Sequence, residues 1–580
     1  MLASTVLLAV ARAALFAAQD WYWSRGLRAL SAQGFARHVL TGLPLALAAC
    51  ALAALLGRGR RARLPAAAAL ALVAYLFLTA RLPYDLRHAP GFHDLDALAA
   101  HIGSLVLALV VARHCTAPAA SPRARRIAAF AAAVPVLLAL GVMASGMRSS
   151  SAPLERPNVI LISLDTLRAD RLGACGGPAG TTPNIDRFFG ASSAVFRAAF
   201  APQPFTLTSH ASILTGLEPS EHGVGEKAAL PSGVPTLAEH LSRAGYVTVA
   251  DVDPIEWLDP RYGFERGFQR YQQRRGTARE RVPALEELLD DLGDERFFLF
   301  LHFYDAHSDS GPLAYDSEPE DRVAVGLPAE LAFRARDERG GGTGLLWAAN
   351  QGERVLTKEE RAQIALQYDA GVRSLDRALG PLLEKLERDG FLEDTLVILL
   401  SDHGEELFEH EKWLHTQLYD ECVHVPLLVR VPDLGAVHAN DDVVGLADVT
   451  PTVLELCGVT ADAPMQGKSL VPLLHGTGAA PREHVVLEWD GLGLRTREWK
   501  LLLQADARQL FHLSEDPGER VDRAAFPGFE DELARLTEEL RAEAEHGREL
   551  GDAVHPRKLQ PLAAATKETL RALGYAGGDE

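Results

Sequence analysis

The chain has 580 residues, 48% of them hydrophobic and 23% charged, with a formal net charge of −19; the length calls for two or three folding units and the apolar content excludes disorder over most of it. The charge is uneven, since residues 1–150 carry fifteen Arg, no Lys and four Asp, a balance of +11 that leaves −30 on the remainder. So acidic a body lacks the clustered Lys and Arg that release counterions, which excludes nucleic acid as a partner, and five Cys without a C-x-x-C pair exclude a disulfide scaffold and a thiolate zinc site.

Apolar stretches at 2–18, 39–56, 64–80, 98–112 and 127–144 come close to the length that crosses hydrocarbon as a helix, about 17–25 residues. They predict a membrane domain over residues 1–147 with the bilayer as partner. Arg58–Arg63 and Arg113–Arg126 each hold four Arg and no acid, whereas the loops at 19–38 and 81–97 mix Arg with Asp. The positive-inside rule therefore puts the two pure-Arg loops in the cytoplasm and everything beyond residue 150 outside, on the periplasmic side of a bacterial-type inner membrane. Trp21, Tyr22 and Trp23 suit an interfacial belt, and residues 148–157, rich in Ser, read as a tether.

Further on, five short apolar runs alternate with helical patterns: Val159–Leu164, Tyr246–Ala250, Phe297–Phe303, Leu396–Leu400 and Pro426–Val431. This is the pattern of an α/β fold whose central strands are parallel and buried on both faces. Three runs end in chemistry, namely Asp165, the turn Tyr304–His307 and the turn Ser401–Gly404. Ligands of open α/β sheets bind beyond the carboxyl ends of the strands, so these groups are expected on one edge. Asp165, Asp402 and His403 offer two hard oxygens and an imidazole to a divalent metal. The segment Pro204–Gly216 places hydroxyls, Thr206 among them, at the start of a short helix that Gly216 stops; coordination and the helix terminus would both favour an alkoxide there.

The stretch 326–356, with Gly340–Gly344, reads as a mobile insertion or lid. Beyond Glu483 the pattern turns to short strands, His484–Trp489 and Trp499–Gln504, then a helix over Glu530–Glu545. The expected division is a catalytic domain over 158–480 and an α+β subdomain over 481–580. His222, His240 and His424 read as structural, and the glutamates at 405, 406, 409 and 411 around His410 read as a solvated face.

The motifs NVILISLDTLRADRLG (Asn158–Gly173), Thr182–Asp186, SHASILTGLEPSEHGV (Ser209–Val224), SDHGEELFEH (Ser401–His410) and HTQLYDECVHVPLLV (His415–Val429) together resemble the sulfatase family of the alkaline phosphatase superfamily. Asp448–Gly458, Gly467–Leu474, Arg495–Lys500 and Leu510–Pro517 extend the likeness, which covers about 150–575. The resemblance implies an alkaline-phosphatase-like sheet with a C-terminal subdomain, and an ester hydrolase or transferase. It assigns Asp165, Asp402 and His403 to the metal, with Thr166 where many sulfatases carry a second Asp, and puts Thr206 at the nucleophile position. Sulfatases have Cys or Ser there, in C-x-P-S-R, and oxidise it to formylglycine; this chain reads Thr-Leu-Thr-Ser-His, so no formylglycine is expected. Thr is what phosphodiesterase and phosphoglycerol- or phosphoethanolamine-transferase relatives use.

By the same resemblance His307 or His415 protonates the leaving oxygen, and His210, in the place of the missing Arg, contacts the substrate anion. His302 and Asp305 line the pocket or complete a second metal site with His307 or Asp309. Zinc or manganese suits the donors, and calcium is the family's usual ion. The expected substrate is a phosphate, phosphodiester or sulfate ester of a lipid head group or envelope polysaccharide, which tethering would bring close despite the acidic field. A sulfuric-ester hydrolase without formylglycine and a catalytically degenerate envelope scaffold are the alternatives.

Overall fold

The computed structural model describes residues 156–554, apart from 179, 191–192, 226–227, 294, 337–340, 433–437, 477–481 and 505–506. The membrane domain expected over 1–147, and most of the tether, lie outside the described residues. Among the described residues no helix is long and apolar enough to cross a membrane.

A nine-stranded sheet forms the centre. Its strands are β1 (Asn158–Leu164), β2 (Ala194–Phe200), β3 (Val247–Val252), β4 (Arg270–Gln273), β5 (Phe297–Phe303), β6 (Thr395–Leu400), β9 (His424–Arg430), β10 (His438–Asn440) and β11 (Val444–Gly445), while β7 (Glu406–Leu407) and β8 (Trp413–Leu414) form a separate hairpin. The order is β10-β2-β9-β6-β1-β5-β3-β4, with β11 also on β2. In the middle, β1 pairs in parallel with β5 and β6, and all seven of its residues are buried. Its alternation divides the core: Val159 and Leu161 face one apolar cluster, Ile160, Ile162 and Leu164 the other. The first cluster takes in helices α2 (Thr206–Thr215), α3 (Leu237–Arg243) and α7 (Val449–Leu456); the second takes in α1 (Pro183–Gly190), α4 (Ala278–Leu292) and α6 (Lys358–Arg388). Helices thus cover both faces of a mostly parallel sheet. Thr357 caps α6 reciprocally, its Oγ1 accepting from Glu360 N (3.1 Å) while Glu360 Oε2 accepts from Thr357 N (2.8 Å).

Two expectations need correction here. The run at 426–431 forms β9, which is antiparallel to both β6 and β2. Between β6 and β9 lie only the β7–β8 hairpin and a one-turn helix, so the chain re-enters from the edge it left; a parallel strand would need a crossover. The glycine-rich stretch, read as mobile, starts helix α5 (Gly342–Asn350). A Cβ on Gly342 would lie 2.3 Å from Ala314 N and 2.6 Å from Ser308 O, so glycine there permits close backbone packing.

The C-terminal sheet is antiparallel in chain order: β12 (His484–Trp489), β13 (Gly491–Thr496), β14 (Trp499–Leu503) and β15 (Arg508–His512). One face packs Leu494, Leu501 and Leu510 against Leu536 and Leu540 of helix α8 (Glu530–Val554). The other buries Val485, Leu487, Leu502 and Phe511 against Phe200, Leu418, Tyr419 and Cys422 of the main domain.

Candidate active site

Strands β1 and β6 lie side by side, so the residues that follow them meet at one edge. Asp165, Asp402 and His403 are fully buried, and one ligand atom from each lies within 4.8 Å of the others. The turn after Asp165 is held from outside: Thr166 adopts a left-handed φ of 58°, Tyr368 of α6 donates to Thr166 O (2.7 Å), and Ser401 Oγ accepts from Leu167 N (2.9 Å). A β-branched residue with positive φ is a strained choice that persists where its surroundings over-determine it.

The donor set fits a divalent cation. Asp165 Oδ1 and both carboxylate oxygens of Asp402 are buried without a hydrogen-bond partner, a costly arrangement that a cation would resolve. His403 Nδ1 donates to Gly404 O (3.0 Å), which leaves Nε2 as the ligand atom. Thr206, the first residue of α2, has its Oγ1 3.2 Å from His403 Nε2 and 3.5 Å from Asp165 Oδ2. The helix runs to Gly216, which takes the left-handed φ of 73° that ends it.

His302 of β5 donates from Nε2 to Asp165 Oδ2 (3.1 Å), and its Nδ1 lies 3.7 Å from Asp253 Oδ2. Burial opposes a charge on His302, but the two flanking carboxylates outweigh it and hold the imidazolium up to about 9. Arg281 of α4 in turn pairs with Asp253 and Asp251. For Asp165, burial pushes upward, yet the hydrogen bond from His302 and the charges of His307 and His403 leave its carboxyl well below the usual range. Asp402 is pushed up by burial and by Asp165.

His307 and His415 sit against this cluster. His307 Nδ1 bonds Asp309 Oδ1 at 2.6 Å, and its ring stacks on Tyr304 at 4.2 Å. Burial disfavours its charge, but Asp309 raises it to about 9. His415 donates from Nδ1 to Pro204 O (3.0 Å), and its ring lies 4.4 Å from that of His403 and 5.6 Å from that of His307. Burial, with His403 and His307 beside it, holds His415 well below its ordinary value.

Two residues expected to contact the substrate have protein partners of their own, and one of them, His210, lies beside the cluster with its Nδ1 3.6 Å from Asp402 Oδ2. His210 is buried with both nitrogens engaged, Nδ1 on Thr206 O (2.8 Å) and Nε2 on Ser163 Oγ (3.0 Å); it braces α2 and has no donor left for an anion. Asp305 accepts the N–H of Ala278 (2.8 Å) at the start of α4. The glutamate run at 405–411 is a solvated face only in its second half, with Glu409 half-buried and Glu411 exposed. Glu405 and Glu406 are fully buried, taken up by Tyr315 Oη (2.5 Å) and by Thr416 N (2.8 Å), and burial raises them to about 7 and about 8. His410 stacks on Tyr419 at 3.6 Å and bonds Glu421. His222 is structural as expected, bonded to Ser212 Oγ and Val224 N.

Asp253 was missed although it follows β3, the same signal that identified Asp165. Arg281 lies inside a helix, where no motif marks it.

The sequence pattern of the family described as Sulfatase matches residues 157–459, and that of "N-sulphoglucosamine sulphohydrolase, C-terminal" matches 408–546. Bovine arylsulfatase K (Bos taurus) is 31% identical over 205 residues, 32% of this chain and 38% of that protein; the chain thus spans well under half the length of this relative. Choline-sulfatase of Rhizobium meliloti is 24% identical over 453 residues, 65% of this chain and 86% of that protein. Among solved structures, the phosphonate monoester hydrolase of Agrobacterium radiobacter superposes with a TM-score of 0.53 at 22% identity, covering 67% of this chain and 96% of that one. BT4656, solved with its substrate D-glucosamine-2-N,6-O-disulfate, gives 0.56 at 20% identity, covering 69% and 98%. The structural likenesses carry the fold alone, but the family pattern takes in both strand ends, helix α2 and the His415 loop, and on that match the chain belongs to the sulfatase family.

Proposed function

We propose that this chain is a membrane-anchored, metal-dependent hydrolase of phosphate esters and phosphodiesters that works through Thr206. One observation carries the reading: a buried hydroxyl at a helix N-terminus, 3.2 Å from His403 Nε2 and 3.5 Å from Asp165 Oδ2. Asp165, Asp402 and His403 would hold the cation, which when bound supplies Lewis-acid charge to the hydroxyl and to a nonbridging ester oxygen. Thr206 Oγ1 attacks phosphorus, its proton released to solvent water, and the bond to the leaving oxygen breaks in line. His307, charged through Asp309, gives that oxygen a proton. His415 keeps Nε2 as an acceptor and takes the proton of the water that releases the Thr206 ester. Two imidazoles whose surroundings push them in opposite directions suit acid and base roles. Oxidation of a threonine alcohol gives a ketone, so the aldehyde of formylglycine is not accessible from Thr206.

Residues 1–147 supply the anchor in this reading, supported by five apolar runs and two acid-free Arg loops. A substrate held at the outer membrane face, a lipid head group or envelope polysaccharide, needs no long-range attraction to an acidic domain. The names of the relatives, arylsulfatase and choline-sulfatase, favour a second reading in which the same threonine opens a sulfate ester. The full-length protein in detergent, assayed on aryl phosphate, a diaryl phosphodiester and aryl sulfate, decides between them: turnover is expected to be highest on the phosphorus esters, and a preference for sulfate replaces the first reading by the second.

Asp309→Asn tests the acid. His307 donates only while protonated, so kcat/KM falls as pH rises through about 9. Without the carboxylate that raises it, this alkaline limb is expected to move down by about one pH unit or more. A limb that stays in place in a profile from pH 6 to 10 removes His307 from the step.

A further inference from the structure

We infer that Asn350 and Trp489, from two elements remote from the metal cluster, are positioning residues that clamp the loop carrying His415. The inference rests on the reading above, in which His415 works in the reaction. The loop begins under strain: Leu414, directly before His415, has φ = 75° and is only 3% exposed. A branched, buried residue in the left-handed region is rare and persists only where other contacts impose it.

Those contacts come from several sides. Asn350, the last residue of α5, grips both polar groups of the Trp413 backbone, donating from Nδ2 to Trp413 O and accepting from Trp413 N, each at 2.9 Å. Glu406 Oε2 accepts from Thr416 N (2.8 Å) and from its hydroxyl (2.9 Å). Trp489, at the end of β12, donates from its indole Nε1 to Thr416 O (3.0 Å), and its ring lies 5.8 Å from that of Phe205, the neighbour of Thr206. Together the three hold the backbone of Trp413, two residues before His415, and of Thr416, directly after it, and His415 itself anchors on Pro204 O.

The clamp also gives two distant elements work in the chemistry. Helix α5 meets the His307 loop at its start, where Thr343 Oγ1 lies 2.7 Å from Ser308 Oγ, and the His415 loop at its end. Through a single indole the C-terminal sheet reaches Phe205 and Thr416, the chain neighbours of Thr206 and His415. An imidazole off target by about 1 Å loses about a hundredfold in rate with little change in ground-state binding.

The test uses the full-length protein with Asn350→Ala, Trp489→Phe, His415→Ala and the doubles N350A/H415A and W489F/H415A. Trp489→Phe keeps an aromatic ring beside Phe205 and removes the N–H together with the five-membered ring that carries it. Each clamp variant is expected to lower kcat by about tenfold or more, with KM changed by less than about threefold and unchanged far-UV circular dichroism. In the H415A background the same substitutions are expected to cost nothing further, since they act through that imidazole. Clamp variants that keep kcat, or that multiply with H415A, overturn the inference while leaving the role of His415 intact. A His415→Ala protein with undiminished kcat overturns the reading of His415 itself, and the clamp with it.

Discussion

Thr206→Ala is expected to lower kcat on a phosphodiester by about ten-thousandfold or more, whereas Thr206→Ser is expected to stay within about tenfold. The argument is geometric. Among the described residues, the Thr206 hydroxyl has both Asp165 and His403 as neighbours, and alanine leaves nothing there that forms a covalent ester. Water can still attack, helped by charge stabilisation in the site, which is why a residual rate remains. Serine restores the hydroxyl and loses one methyl group. Stability should hardly move, since α2 is packed through Leu207, Ala211, Ile213 and Leu214 and braced by His210. A melting temperature within a few degrees of the parent's makes the rate interpretable. Intact-mass measurement after acid quench should find substrate phosphorus on the parent and none on Thr206→Ala. The scaffold alternative predicts no turnover and no bound phosphorus in either protein, and that result would establish it; equal, measurable turnover by the alanine variant removes Thr206 from the nucleophile's role.

The strands that hold the site were legible because their burial is written in the sequence. Runs such as FFLFLHF and TLVILL have no polar face, and both are buried throughout. Strand β2, AVFRAAF, was not, because alanines give a weak β signal and the exposed Arg197 breaks the run. Apolarity reports burial and carries no strand direction, which is why β9 was expected to be parallel. The same limit governs the site. A motif after a strand places residues at the sheet edge, but Asp305 and His307, two residues apart, serve a helix terminus and the cluster respectively. For His210 the helical period offered a clue: four residues after Thr206, it falls on the same face one turn along and bonds the Thr206 carbonyl. Asn350 and Trp489 carry no motif, because they meet the His415 loop from positions 63 and 73 residues away. The buried Glu405 and Glu406 read as surface charge because Tyr315 and Thr416, which take up their oxygens, are likewise not identifiable from spacing.

Asp402→Asn is expected to separate stability from activity. Burial first, and then the charge of Asp165, push the Asp402 carboxyl above the usual carboxylate range. For an acid raised in this way the folded chain binds its proton more tightly than the unfolded chain. Stability therefore falls as pH climbs from the ordinary carboxylate value through the raised one, and the penalty is complete at neutral pH. After chelation at pH 7.5, Asp402→Asn should therefore melt at or above the parent, a difference that disappears below about pH 4, where both states of the parent are protonated. Metal reverses the order. A cation at one hundred times its Kd adds about 2.7 kcal/mol to the parent, seen as a rise of several degrees in Tm, and adds little to a variant lacking one of three ligands. Turnover is expected to fall by about a thousandfold, the rate equivalent of the several kcal/mol of charge stabilisation that a held cation supplies. Elemental analysis of both proteins, melting curves before and after chelation, and kcat on a phosphodiester check these effects. A variant that keeps its full metal content, or a parent whose melting is indifferent to chelation, would move the cation away from Asp165, Asp402 and His403.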